Sequence, residues 1–302
     1  MKVGLIDVDG HNFPNLPLMK LSAWHKQQGD EVEWYFPFGG GYDLVYMSKV
    51  FTFTPDYPHP VYANAIKRGG TGYNYPDGGE PLPYDVEHIY PDYGLYPELT
   101  KDTAYGFLTR GCPRGCDFCI VKHKEGQKSI KVADLDEFWR GQKNINLCDP
   151  NMFACKDWKD LSRQLIESKA CIDFNQGVDI RIMTEEKAEA IRQMKIKYIH
   201  FAWDRYEDKD KIISKFKFFQ EITGWDRHKM QVYVLTNFNT TIEQDIERVT
   251  TLRDMKYSPY VMVYNKDQTT MADKVRQLQR WVNNRVIFNS CHSFEEYLRR
   301  NY

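Results

Sequence analysis

With 302 residues, 42% hydrophobic and 27% charged, the chain can build a sizeable core, which excludes intrinsic disorder and suits one large or two modest domains. A formal net charge of −1 excludes a bulk electrostatic pull toward nucleic acid and leaves only a local basic face for that role. No apolar run is long enough for a membrane span, the N-terminus lacks the apolar stretch of a signal peptide, and seven cysteines, an odd number, suit a reducing compartment; the expectation is a soluble, cytoplasmic protein without a membrane partner.

Lys2–Val8 is an apolar run of strand length. Pro17 suits the first turn of a helix reaching about Gln28, and Gly29 is its natural stop. Glu31–Phe36 and Asp43–Ser48 read as two more strands, and strand–helix–strand implies parallel pairing. Residues 1–53 therefore read as a small α/β unit. Between Thr54 and Leu99 the composition turns to Pro, Gly and Tyr, as in Arg68-Gly-Gly-Thr-Gly-Tyr73 and Tyr90-Pro-Asp-Tyr-Gly-Leu-Tyr96. These glycines have neither phosphate-loop nor dinucleotide form and read as turns. Tyrosine rings pack, so residues 54–99 are expected to form an ordered linker draped over the strand–helix repeat of residues 100–270, walling a substrate pocket.

From residue 100 to 270 strand and helix alternate. Ala104–Thr109, Asn144–Leu147, Cys171–Asn175, Tyr198–Ala202, Gln231–Leu235 and Tyr260–Tyr264 are short apolar strands. Between them stand a helix from Asp134 through Trp139, opened by the pair Asp134 and Glu137, then Trp158–Ser168, Glu185–Met194, Lys209–Ile222 and Ile242–Met255. Six such repeats imply a parallel sheet covered by helices. Residues 271–302 read as a closing helix from Met271, a short strand Val286–Phe288, and a terminal helix opened by Ser293 and Glu296. Arg280, Arg285, Arg299 and Arg300, with Trp281 and Tyr297, read either as a solvated helix face or as a nucleic-acid surface.

The chemistry concentrates after the first strand of this repeat, in Thr109-Arg-Gly-Cys112-Pro-Arg-Gly-Cys116-Asp-Phe-Cys119. Thiolates are soft ligands, and three on one tight loop suit a metal or an iron–sulfur cluster. A structural zinc site closes with four ligands, whereas a cubane held by three cysteines keeps one iron open. The plain structural alternatives are a zinc loop with a remote fourth ligand, or an oxidised pair. Cys148, Cys155, Cys171 and Cys291 form no compact motif, and burial is expected for them in preference to a second cluster or a substrate-handling thiol. The strand ends carry Asp149 and Asn151, Asn175 through Arg181, Asp204 and Arg205, Asn237 and Asn239, and Asn265. Turn chemistry accounts for part of that set. The carboxyl ends are also where a parallel β/α barrel works, and carboxylates and amides there suit a ligand with an amine, a ribose and a base. Arg181 and Arg205 stand either in ion pairs or against an anionic group.

Cys112-x3-Cys116-x2-Cys119 with Phe118 resembles the cluster loop of the radical S-adenosylmethionine (radical SAM) superfamily, including the filling Pro113, Arg114, Gly115 and Asp117. The resemblance implies an α/β fold with a partial (β/α)6 barrel over residues 100–270. There the three cysteines hold a [4Fe–4S] cluster whose open iron is chelated by the amino and carboxylate groups of S-adenosylmethionine (SAM). It implies reductive cleavage of SAM to methionine and a 5′-deoxyadenosyl radical that abstracts hydrogen from a substrate, with the electron coming from a donor such as flavodoxin or ferredoxin. By position it lends Asp149 the SAM amino group, with Asn151 in support where the family often carries Gly-Gly-Glu. It gives Asp204 the ribose and Phe118 the adenine, through its backbone. A small-molecule or nucleotide substrate is favoured over tRNA or a protein side chain, because the charge is near zero and no added RNA-binding module is visible. The first 53 residues are similar to a truncated form of the cobalamin-binding Rossmann-like domain that precedes many radical SAM barrels. Asp9-x-His11 falls where base-off cobalamin binders carry Asp-x-His-x-x-Gly. Pro14 stands in place of that glycine, and the unit is expected to have lost cobalamin. A cobalamin-dependent methylase is the runner-up, and a non-enzymatic zinc or iron–sulfur module is the reading from another class.

Overall fold

Four parallel strands open the chain: Lys2–Asp7 (β1), Glu31–Trp34 (β2), Tyr42–Ser48 (β3) and Ala63–Gly69 (β4), in the order β2-β1-β3-β4. The computed structural model describes residues 1–10 and 12–300, which fall into two units, Met1–Ala170 and Cys171 onward. In the first unit the helix Leu16–Gln27 starts where Asn15 accepts from Leu18 N, with Pro17 in its first turn. It lays Leu18 and Leu21 on Val3 and Leu5 of β1, while Ile6, Tyr42, Val45 and Met47 fill a second cluster. Asp9 is committed to the chain after β3, accepting from Phe51 N at 3.2 Å and Thr54 Oγ1 at 2.8 Å. His11, the cobalamin-ligand candidate, lies outside the described residues.

The stretch expected to be linker alone contributes β4, which pairs with β3. It lies at the sheet's edge and is exposed along most of its length, so its sequence carries no alternation to betray it. The tyrosines nearby do pack: Tyr93 Oη donates to Phe138 O at 2.6 Å and Tyr96 Oη to Asp7 at 2.7 Å.

Still in the first unit, Thr103–Gly106 (β5) pairs in parallel with Asn144–Leu147 (β8). Thr109–Arg110 (β6) runs antiparallel to Ile130–Lys131 (β7), so the expected single strand Ala104–Thr109 is broken after Gly106. The capping pair Asp134 and Glu137 forms, with Glu137 Oε1 accepting from Asp134 N at 3.0 Å, yet it opens only the 3-10 turn Leu135–Glu137. Phe138 leaves helical geometry at φ −135°, which stops the turn short of Trp139. The helix Trp158–Ser168 ends the unit as expected.

The second unit holds a parallel pair, Cys171–Phe174 (β9) with Lys195–Ile196 (β10), and a parallel triplet, Ile199–Ala202 (β11), Met230–Thr236 (β12) and Ser258–Val263 (β13). Its helices are Glu185–Gln193, Lys209–Thr223, Ile242–Asp254, Lys274–Asn283, Arg285–Ser290 and Phe294–Arg300. Thr241 and Gln244 form a reciprocal capping box, and Gly224 at φ +67° ends the helix before it. Ile199, Phe201, Val232, Val234 and Val261 alternate inward and share the core with Phe216, Phe219, Val249 and Tyr257. Where Val286–Phe288 reads as a strand, the structure has a helix, because Asn284 accepts from both Val286 N and Ile287 N at 3.2 Å. Trp281 (0% exposed) and Tyr297 (2%) are core residues packed with Phe288 and Phe294, so the aromatic half of the nucleic-acid surface is absent and the arginines around them stand on solvated helix faces. The architecture is mixed α/β with parallel sheets; among the described residues no helix is long and apolar enough to cross a membrane.

Candidate functional site

The cysteine loop leaves β6 and returns at β7. Its first step is Gly111, at φ +83°, where a Cβ would collide with the Lys128 carbonyl, so only glycine fits. The two stems are fastened to each other. Gly111 N donates to Glu125 Oε2 at 3.4 Å and Cys112 N to Gly126 O at 3.2 Å. Arg110 stands between Glu125 (3.4 Å) and Glu87 (3.6 Å), its guanidinium 3.6 Å from the Phe107 ring centroid. Glu125, Gly126 and Lys128 thus serve the loop, a role their sequence positions do not advertise. Within the loop Cys119 N donates to Cys116 O at 3.0 Å, and Gly115 takes φ +60°. Cys112, Cys116 and Cys119 form no disulfide and are half-buried, and Phe118 between the last two is half-buried as well.

Two residues after β8 meet this loop. Asp149 is 4% exposed, and its carboxylate accepts from Leu108 N (3.1 Å), Thr109 N (2.5 Å) and Thr109 Oγ1 (2.7 Å). It thereby fixes the backbone just ahead of the first cysteine. Burial lifts its pKa to about 6, against the pull of those three donors. Asn151, also 4% exposed, donates from Nδ2 to Cys112 Sγ at 3.5 Å, while its backbone carbonyl accepts from Ser129 Oγ at 2.9 Å.

The donor chemistry fits a cluster: three thiols on one short, fastened loop, one of them already accepting an amide hydrogen bond. Among the described residues no three His, Cys, Asp or Glu side chains stand arranged to hold a metal ion. A cubane makes a different demand on its ligands than a single ion does, since each thiolate takes its own iron. Of the other cysteines, Cys155 and Cys291 are buried as expected, whereas Cys148 and Cys171 are half-buried. Burial pushes the Cys155 thiol up.

In the second unit, Asp204 follows β11 and is half-buried; burial raises its pKa to about 6, opposed by Arg181 and Arg248. Arg248, 0% exposed on the helix Ile242–Asp254, donates to Trp203 O (2.5 Å), Leu235 O (2.7 Å) and Asp245 (2.5 Å). It ties the ends of β11 and β12 together beside Asp204. Sequence reading passed over it, although an Arg directly before Val249, on the face that also carries Leu252, is a signal that it points inward. Arg181 pairs with Asp179 (2.8 Å) and Asp208 (3.5 Å), and Arg205 with Glu207 (3.7 Å). Asn237, Asn239 and Asn265 all have left-handed backbone (φ +62°, +50° and +48°), so their place at strand ends follows from turn geometry.

The face of the β11-β12-β13 triplet opposite that core carries His200, Tyr233 and Tyr260: the first two rings are stacked at 5.3 Å, and Tyr260 meets Tyr233 edge-on at 5.8 Å. Burial holds the His200 imidazole below its ordinary value, while the Asp173 carboxylate works in the opposite sense. An NMR titration is expected to place its pKa below 6.5 and lower again in Asp173→Asn; a value at or above 6.5 would contradict the packing described. Because the unfolded chain takes this proton at higher pH than the fold does, the imidazole withdraws stability as pH falls below 6.5.

No protein-family model matches the chain, and no curated protein matches it. Among solved structures the chain is similar to the radical S-adenosylmethionine methyltransferase TsrM from Kitasatospora setae, solved with cobalamin and a [4Fe-4S] cluster bound. The TM-score is 0.58 at 10% identity, covering 87% of this chain and 74% of that one. At such identity the likeness is one of fold: a mixed α/β chain with parallel sheets.

Proposed function

We propose that this chain is a radical SAM enzyme in which Cys112, Cys116 and Cys119 hold a [4Fe–4S] cluster, with SAM at the open iron. The observation that carries the reading is the loop itself: three cysteines at C-x3-C-x2-C, outside any disulfide, on a segment fastened at both stems. The fold likeness to a radical SAM methyltransferase supports it. Bound together, the reduced cluster and SAM supply a 5′-deoxyadenosyl radical for hydrogen abstraction from the substrate.

The chain's own residues bind and orient. Asp149 and Asn151 serve the SAM amino group, Asp204 the ribose, and the Phe118 backbone the adenine. An ionised carboxylate has about four acceptor positions; Leu108 and Thr109 take three at Asp149, leaving one for an N–H of the SAM amino group. In this reading residues 1–53 together with β4 are a Rossmann-like unit, the rest of 54–99 a tyrosine-rich cover, 100–270 the partial (β/α)6 barrel, and 271–302 closing helices. The electron comes from an external donor of the flavodoxin or ferredoxin type, and the substrate is a small molecule or nucleotide.

A cobalamin-dependent methylase is the second reading, favoured by the cobalamin in the TsrM structure and by the parallel sheet of residues 2–69. One anaerobic experiment addresses both: reconstitution with iron and sulfide, reduction with dithionite, and chromatography of the SAM products. The intact protein is expected to bind about four irons and release 5′-deoxyadenosine, and the triple variant Cys112→Ala, Cys116→Ala, Cys119→Ala to do neither. Bound zinc with no cleavage would refute the enzyme reading. A methylated product that requires added hydroxocobalamin would promote the second.

A further inference from the structure

We infer that Asn151 tunes the reduction potential of the group that Cys112 ligates, through an N–H···S hydrogen bond. The inference rests on the cluster reading above and adds to it a residue that acts on electron transfer. Three observations carry it. First, Asn151 Nδ2 lies 3.5 Å from Cys112 Sγ, within donor range of a sulfur acceptor. Second, the residue that carries the donor is buried and its main chain is anchored: Asn151 is 4% exposed, and its backbone carbonyl accepts both Ser129 Oγ at 2.9 Å and Ala154 N at 3.1 Å. Third, the residues next in the chain, Met152 and Phe153, are buried at 3% and 2%, so the amide works in surroundings where water competes little.

The physics fixes the sign. One electron enters the cluster from the external reductant, and the added negative charge spreads onto the ligating sulfurs. A donor aimed at one sulfur stabilises that more negative state more than the oxidised one, so it raises the potential. Asparagine suits this position because its amide donates and carries no net charge. An aspartate of the same size has no N–H to give and sets a second negative charge beside the sulfur.

The test is an EPR-monitored redox titration of the reconstituted full chain, comparing wild type with Asn151→Leu and Asn151→Asp, each with its iron and sulfide content measured. With iron content kept, both variants are expected to titrate at more negative potential, Asn151→Asp the lower of the two. Losing one hydrogen bond corresponds to roughly a five- to tenfold smaller reduced fraction at a given potential, where tenfold is 59 mV for one electron. Variants that keep their iron and titrate with wild type would overturn the inference, as would an upward shift. If Asn151→Leu loses its iron, Asn151→Asp decides alone, being of the same shape. A wild-type chain that takes up no iron would instead refute the cluster reading, so the two failures are distinguishable.

Discussion

Arg248→Met is expected to cost the fold about 3–5 kcal/mol, the usual consequence of removing one partner from a buried ion pair. The substitution strips the hydrogen bonds from two strand-end carbonyls, Trp203 O and Leu235 O, and leaves Asp245 buried without its counter-charge. Burial already pushes the Asp245 carboxyl up even with Arg248 present. Urea denaturation followed by circular dichroism gives the loss. A second arm separates charge from packing: in Arg248→Met with Asp245→Leu the stranded carboxylate is gone, and much of the stability should return. A single variant as stable as wild type would show that the guanidinium is not what joins β11 to β12. Asp204 provides an internal check, because Arg248 is among the charges that hold its pKa down. Its carboxyl should titrate above about 6 in the variant.

Asp149→Ala is the second large effect. It leaves the donors at Leu108 N, Thr109 N and Thr109 Oγ1 without their acceptor in a buried site, each a loss of about 1–3 kcal/mol if nothing replaces it. Those amides stand two and three residues ahead of Gly111, so the damage should reach the cysteines as well as global stability. Iron uptake on reconstitution is expected to fall together with the denaturation midpoint. Asp149→Asn should be milder, since its amide keeps one acceptor oxygen. An Asp149→Ala chain that loads iron and melts like wild type would return this carboxylate to ligand binding alone. The pH dependence has a definite sign. The folded pKa is raised, to about 6 from 3.8, so the contribution is fullest below 3.8 and is lost as pH rises through about 6. The stability gap between wild type and Asp149→Ala should therefore narrow across that window.

How much of this was legible in the chain depends on how each residue does its work. The helices expected over Lys209–Ile222 and Ile242–Met255 were legible as stretches between apolar strands, and the structure, at Lys209–Thr223 and Ile242–Asp254, closes the first at Gly224 and opens the second with the Thr241–Gln244 box. Val286–Phe288 misled: a β-branched run suggested a strand, and one asparagine at position 284 outweighed it. β4 left no trace, since an exposed edge strand needs no apolar alternation. At the site the three cysteines were plain from spacing alone. Asp149 and Asn151 stood out as polar residues at a strand end, but what they touch did not, because a carboxylate reads the same in sequence whether it faces a ligand or two backbone amides. Asn237, Asn239 and Asn265 show the opposite case, polar residues whose backbone conformation accounts for them.

The fastening of the two stems has a consequence for chain entropy. Bringing together the ends of a flexible segment of about fifteen residues costs roughly 2–3 kcal/mol. Here the bonds from Gly111 to Glu125 and from Cys112 to Gly126, with β6 laid along β7, close that ring within the fold itself. The closure is therefore charged to folding and not to ligation. On the cluster reading, the three thiols would then be offered from a thread already tied, and assembly would need little further ordering to draw the ends of the loop together.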